Sequence, residues 1–431
     1  MELDINRLCL KCMKPSVENG FCKSCGTGVG FVQKPEYALP AGTILAGRYL
    51  VGAVLGFGGF GITYIGLDLE LQQRVALKEF MPVPANMAER APGKLTVTAR
   101  KNFSYGLERF YEEARVVHRY RSHPNIIHVY KLFRENNTAY YAMEYLEGHD
   151  LAGEYRRSGG QMEYEALLPV VLPVMDALEY VHRDHLIHRD ISPDNIYVGK
   201  TVKLIDFGAA RMAIAGKSNS LTIIHKKGFT PEEQYRTHGQ QGPWTDIYAL
   251  ASTMYVCLSG HMVPEALERM QHDGLRDVRF WGARMPDCAA EAIMHALAVK
   301  AENRQRTVGE FRGELLGKQS RISSTVSPID TFLLQGIQGD YAGSGIREKK
   351  LVIGRDASVC QLVYPWDTPG ISRKHCTFWI DSRMNVVFVR DENTTFGTWV
   401  NGRRLLRGEE CVLTPGDRIS FGMNQTFQID Y

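Results

Sequence analysis

Three short stretches constrain this chain more than its bulk does: Val75-Ala76-Leu77-Lys78, then His188-Arg189-Asp190 with Asn195, then Asp206-Phe207-Gly208. Each is weak alone. In this order they supply a lysine that can hold phosphate, an aspartate and an asparagine five residues apart, and a second aspartate able to carry Mg²⁺. A glycine-rich run, Gly56-Phe57-Gly58-Gly59-Phe60-Gly61, precedes all of them. Without side chains at 56, 58 and 61, backbone amides can close over phosphates. Such a run alone fits a tight hairpin turn equally well; its weight comes from Lys78, 17 residues after Gly61 in an apolar strand.

At 431 residues the chain exceeds one ordinary core, so two or three domains are expected. A net charge of +3 argues for neither a nucleic-acid footprint nor an acidic tail. No apolar run reaches the roughly 18 residues that span a bilayer, and the opening Met1-Glu2-Leu3-Asp4 lacks a signal pattern. A cytoplasmic location is therefore expected, with neither nucleic acid nor membrane among the partners. A reducing compartment argues against disulfides among the nine cysteines.

Four of those cysteines form two C-x-x-C knuckles, Cys9/Cys12 and Cys22/Cys25. Two such turns present four thiolates to one tetrahedral Zn²⁺. A segment this short cannot bury a core, so the metal would supply its folding energy. The alternatives are a redox dithiol and a chance clustering of cysteines. The other five (Cys257, Cys288, Cys360, Cys376, Cys411) read as small apolar core residues.

Strand patterns run Tyr49–Leu55, Ile62–Asp68, Arg74–Phe80, Ile127–Phe133 and Tyr140–Glu144, with a helix over 103–121 that places Phe110, Ala114 and Val117 on one face. From Glu163 the pattern turns helical. After a Ser/Thr-rich stretch, residues 317–330, period-2 segments dominate: 351–353, 376–380, 386–389, 398–400 and 418–421.

The motifs over residues 44–316 resemble the eukaryotic-like protein kinase family, in a form found in bacteria. The resemblance implies a two-lobed fold that uses ATP with Mg²⁺ (or Mn²⁺). Gly56, Gly58, Gly59, Gly61, Thr63, Ala76, Lys78, Met143, Glu144 and Leu146 would line the nucleotide site, with Met143 as gatekeeper. Lys78 would pair with a helix glutamate, Glu113 by the F-x-x-E-A pattern, with Glu112 open as the alternative. Asp190 would orient the substrate hydroxyl, and Asn195 and Asp206 would hold metal. Asp246 would brace the catalytic loop. Glu232 would pair with Arg304, or failing that Arg306, as a structural contact. Arg189 suggests control by a phosphate on Ser218, Ser220 or Thr222. One departure stands out. The residue two after the catalytic aspartate is usually lysine, here Ser192, and Lys226 or Lys227 could fill the cationic role.

Gly354-Arg355, Ile371-Ser372-Arg373-Lys374-His375 and Thr394-Thr395-Phe396-Gly397-Thr398-Trp399-Val400-Asn401-Gly402 resemble a forkhead-associated (FHA) domain. That implies a β-sandwich reading phosphothreonine through Arg355, Ser372, Arg373 and Thr395, with His375 and Asn401 bracing the loops. Phe396 stands where the family commonly has asparagine, which puts peptide selectivity in question.

The expected architecture is a multidomain α+β chain: zinc ribbon 1–28, linker 29–43, kinase domain 44–316 (lobes 44–146 and 147–316), linker 317–330 and an all-β FHA sandwich 331–431. The expected function is phosphoryl transfer to Ser/Thr of proteins, with an FHA module binding phosphothreonine proteins or the chain's own linker once phosphorylated at Thr325. The alternative is a pseudokinase scaffold that binds phosphopeptides; a small-molecule phosphotransferase is weaker, because the activation segment suits protein substrates.

Overall fold

The computed structural model describes residues 7–59, 61–83, 86–207, 226–236, 240–318, 329–382 and 385–431. Phe60, Gly208, Ser218, Ser220, Thr222 and the linker residues around Thr325 lie outside this set. The chain divides into two compact units, Met1–Glu154 with Pro193–His225, and Tyr155–Ser192 with Lys226–Tyr431. Among the described residues no helix is long and apolar enough to cross a membrane.

The first unit is built on a six-stranded antiparallel sheet in the order Ile44–Leu45, Tyr49–Phe57, Gly61–Asp68, Gln73–Phe80, Thr138–Glu144, Val129–Glu135. Its strands begin and end within a few residues of the period-2 segments in the sequence, because one face must bury Val51, Val75 and Leu77, and Ile65 is buried on the other. Register places Lys78 between Thr63 and Tyr141, and Ala76 between Ile65 and Met143. The helix Phe103–Arg119 lays Phe103, Phe110, Ala114 and Val117 on the sheet, with the Phe110 ring tilted 5.2 Å from that of Tyr141. A second sheet joins Gly148–Asp150, Ile196–Gly199 and Val202–Leu204.

Among the described residues the ribbon has no core of its own. Leu8 and Met13 pack with Leu50, Ala53, Ile65 and Leu67 of the large sheet, and Ala53 N donates to Leu10 O (2.8 Å). Gly52 makes that approach possible: a Cβ there would lie 2.3 Å from Leu10 O. Residues 29–43 are fixed across the same sheet. Gln33 Nε2 donates to Gly52 O (2.8 Å), and Leu39 N donates to the Tyr64 hydroxyl (3.0 Å).

The second unit holds helices Tyr164–His182, Pro243–Ser259, Asp287–Ala296 and Val308–Leu315, and the β-sandwich. Pro243–Ser259 is buried along nearly its whole length. The sandwich has a six-stranded sheet (Gly345–Glu348, Phe332–Gln338, Gln425–Asp430, Arg418–Phe421, Thr398–Val400, Arg403–Arg404) and a five-stranded one (Leu362–Val363, Lys350–Gly354, Lys374–Asp381, Val386–Asp391, Glu410–Leu413). Alternate residues of both inner faces, Leu351, Ile353, Phe378, Val389, Phe427 and Ile429 among them, make one apolar core.

Candidate active site

In the first unit the central strand Gln73–Phe80 carries Lys78 to one face of the sheet and Glu79 to the other. The Lys78 ammonium pairs with the Asp206 carboxylate and lies 6.0 Å over the Tyr141 ring. Burial alone would lower its pKa; the charges of Asp206, Tyr141 and Glu113 outweigh that and raise it. Glu113 is thus the helix carboxylate whose field reaches Lys78, whereas Glu112 lies nearly half exposed and pairs with Arg115 at 3.4 Å. Asp206 has φ 55°, a left-handed backbone that non-glycine residues seldom adopt. Ile205 N donates to Asn195 O (3.0 Å), which ties the buried Asn195 to the segment carrying Asp206.

Gly56 and Gly58 face open space, while a Cβ on Gly61 would meet Glu79 O at 2.3 Å, so the last loop glycine is required by the neighbouring strand. Thr63 stands beside Lys78 on the adjoining strand. Met143 lies opposite Ala76. The Glu144 carboxylate accepts from His128 N and pairs with Lys203 (2.7 Å each), and the Leu146 carbonyl accepts from the Tyr197 hydroxyl (3.0 Å).

On the other face of the strand, Glu79 accepts from the Tyr64 (2.7 Å) and Tyr140 (2.8 Å) hydroxyls and pairs with Arg90 in full burial. This network was missed by sequence reasoning. Alternation along Val-Ala-Leu-Lys-Glu-Phe separates Glu79 from Lys78, but nothing in the pattern announces the arginine that neutralises it.

In the second unit, buried Asp246 accepts from His188 N, Arg189 N and His182 Nε2, each at 2.8 Å. Burial would raise its carboxyl, but the His182 hydrogen bond and the charges around it hold it below the usual range. These bonds fix the backbone immediately before Asp190. Lys226 Nζ donates to Ser192 Oγ (2.6 Å) and lies 3.9 Å from the Asp190 carboxylate. Lys227 instead points to Glu265 (2.9 Å) and is largely exposed.

One expected pair is corrected. Arg304 does not meet Glu232; it forks onto Glu233, 2.8 Å to Oε1 and 3.3 Å to Oε2, fully buried. Glu232 pairs with Arg236 (2.8 Å), and the Arg306 guanidinium lies over the Trp244 ring. The shift by one residue arises because Glu232–Tyr235 form a 3₁₀ turn that carries Glu233 inward, where the Thr245 hydroxyl also donates to it (2.9 Å).

At the sandwich, Arg355 N donates to Ser372 O (3.1 Å) and Arg373 O (2.9 Å), so the two loops are joined. The Arg355 guanidinium stacks 5.0 Å over Trp366. His375, fully buried, accepts from Ser372 N at Nδ1 (3.1 Å) and reaches Gly397 O with Nε2 (3.2 Å). Burial keeps the imidazole pKa low, so it acts as a neutral strut between two loops. Asn401 bridges Asp417 (2.8 Å) and Arg418 N (2.9 Å). Thr395 and Phe396 are exposed beside them.

The ribbon sulfurs converge. Cys9 and Cys25 Sγ are 3.7 Å apart, Cys12 and Cys22 Sγ 3.6 Å, and all four lie within 4.8 Å of one another. A tetrahedron with Zn–S of about 2.3 Å has edges of about 3.8 Å, so the donor set fits that ion. Ser16 Oγ lies 3.0 Å from Cys22 Sγ as an outer partner.

Comparison with known proteins agrees with this geometry. Residues 49–290 match the protein kinase domain family and residues 351–422 the FHA domain family. The chain is 30% identical over 281 residues to the serine/threonine-protein kinase PknA of Nostoc (62% of this chain, 47% of that protein), and 30% identical over 324 residues to PknB of Mycobacterium tuberculosis (69% and 48%). It spans about half the length of these relatives. Among solved structures, the apo form of PpkA-294 aligns with a TM-score of 0.60 at 32% identity, covering 65% of this chain and 99% of that one. The chain belongs to the protein kinase domain family, and it carries an FHA domain after the kinase domain.

Proposed function

We propose that the chain is an ATP-dependent serine/threonine protein kinase of the cytoplasm whose FHA domain reads phosphothreonine. The observation that carries this is the Lys78–Asp206 pair, with the charge of Glu113 also acting on the Lys78 ammonium, two of the charge relations that phosphoryl transfer uses. Lys78 would hold the nucleotide phosphates. Asn195 and Asp206 would hold Mg²⁺ (or Mn²⁺), which neutralises charge on the β- and γ-phosphates. Asp190 would orient the acceptor hydroxyl and take its proton as the new O–P bond forms and the β,γ-bridging O–P bond breaks, with ADP leaving. Lys226, on Ser192 and near Asp190, supplies the cation that the catalytic loop lacks at position 192. Cys9, Cys12, Cys22 and Cys25 would hold Zn²⁺ as a structural ion. Arg355, Ser372 and Arg373 would receive phosphate, on partner proteins or on the chain's own linker.

The test is transfer of the γ-phosphate from Mg-ATP to a generic protein acceptor, with mapping of the labelled residues. Phosphoserine and phosphothreonine are expected, and Lys226→Ala is expected to slow transfer by about tenfold or more, with Ser192→Lys in the same chain restoring part of it. Label confined to tyrosine, or none, contradicts the reading.

A further inference from the structure

The arginine that precedes Asp190 already has an anion. Arg189 Nε donates to Gln241 Oε1 (2.9 Å), and its Nη2 lies 3.2 Å from Oε1 of Glu409, a residue of the β-sandwich 220 positions later in the chain. Both side chains are about nine-tenths buried. A guanidinium so placed needs a fixed negative partner, because an unpaired buried charge costs several kcal/mol. Glu409 is itself firmly held: its Oε2 accepts from Leu406 N (2.7 Å), and Arg403 lies 3.2 Å from its other oxygen. Burial alone would raise its carboxyl; Arg403 and Arg189 outweigh that and bring its pKa to about 2, so it stays charged at any physiological pH.

The pair does not stand alone. His185 Nε2 lies 2.8 Å from Asp417 Oδ2, a second bridge between the segment before the catalytic loop and the sandwich. Phe388 of the sandwich packs with Trp244 and Ala301, and Trp379, Val386 and Val412 close around them. The sandwich is therefore seated on the helical part of the second unit by an apolar cluster flanked by two charge pairs.

We propose that Glu409 is a positioning residue for the kinase reaction: through Arg189 it supplies the anion that a phosphate on the activation segment would otherwise supply, so that seating of the sandwich sets the catalytic loop. The inference rests on the kinase reading above, and its test separates the two. Arg189 follows His188, whose amide and that of Arg189 both bond to Asp246, so the guanidinium and the backbone ends of this loop are anchored from opposite sides. Gln234, from the turn that ends the activation segment, donates to Arg189 O (3.0 Å) and ties that segment to the same residue.

The experiment uses the full chain, stripped of phosphate by a Ser/Thr phosphatase and checked by intact mass, with initial rates measured against a protein acceptor at varied ATP. Stripped wild type is expected to keep its kcat within about twofold. Glu409→Gln, which keeps the volume and removes the charge, is expected to lower kcat by about tenfold or more with KM for ATP little changed, and Glu409→Asp to recover part of the loss. Val412→Asp, which places a charge in the apolar seat without entering the sandwich core, is expected to show the same kcat loss and decides the matter if Glu409→Gln melts early. A stripped wild type that loses activity tenfold, a Glu409→Gln enzyme equal to wild type, or a loss that Glu409→Asp does not relieve overturns the proposal. A wild type with no activity under any condition instead overturns the kinase reading itself.

Discussion

The two accessory modules are held in opposite ways, each within its own unit. Among the described residues the ribbon has four convergent sulfurs, and its apolar side chains Leu8, Leu10 and Met13 pack against the sheet rather than into a core of their own. The sandwich has a full core from both sheets and meets its seat through Arg189–Glu409, His185–Asp417 and the Phe388–Trp244 cluster. A module without a core would depend on a metal held by its four sulfurs for existing at all. A module with one depends on its contacts only for where it sits. Removing what holds each should therefore unfold the first and merely release the second.

Metal removal gives the largest expected effect. Structural zinc contributes on the order of 10 kcal/mol to domains of this size, so chelation is expected to release one zinc per chain and to unfold residues 9–25, while the sandwich keeps its own melting transition. Ribbon amides that stay protected from hydrogen exchange after chelation would break the comparison.

Next comes the seat beneath the sandwich. Arg304, which also reaches the Trp244 carbonyl at 3.4 Å, is neutralised by Glu233 in full burial. Glu233→Gln leaves that guanidinium without its charge partner and is expected to destabilise the second unit by about 3–5 kcal/mol in chemical denaturation. Glu232→Gln, one residue earlier, is expected to change it by about 0.5 kcal/mol or less. Equal effects would restore the Glu232–Arg304 pairing that the fork to Glu233 replaces.

A smaller effect is expected at Gly52. Valine there meets Leu10 O and should lift the ribbon from the strand that leads to the glycine loop, at about 1–3 kcal/mol. Zinc content should stay at one per chain, because the sulfurs lie on the ribbon itself. Loss of zinc along with docking would show that ribbon and sheet fold as one piece.

The smallest effect concerns pH. Glu409 is depressed to about 2 from an ordinary value of about 4.3, so its contribution is complete above about pH 4.3 and is lost as pH falls through the folded value near 2. Seating of the sandwich, followed by exchange at Trp244 and Val412, is expected not to change between pH 8 and 5. Release within that window would place the controlling group elsewhere.

What the sequence made legible follows from the chemistry. Phosphoryl transfer needs a lysine, two aspartates and an asparagine in fixed order, so those positions stand out before any fold is known. The ribbon is equally plain, because two C-x-x-C turns leave few alternatives. Choices that depend on rotation about an axis were not legible. Glu112 and Glu113 differ by one step around a helix, and with Phe110 and Ala114 packed on the sheet it is the charge of Glu113 that acts on Lys78, while Glu112 pairs with Arg115. Glu232 and Glu233 differ by one step in a 3₁₀ turn, and the motif pointed to the wrong one. Pairs such as Arg189–Glu409 and Glu79–Arg90 join residues that no local period relates, so they emerge only from tertiary structure.

The most direct test of the account is the intact mass of the purified full chain after incubation with Mg-ATP, beside Asp206→Ala. Wild type is expected to gain mass in whole phosphate steps that map to serine or threonine, and Asp206→Ala is expected to gain none. Equal gain in both chains, or no gain in either with a protein acceptor present and itself unlabelled, would contradict a phosphoryl-transfer site built on Lys78 and Asp206.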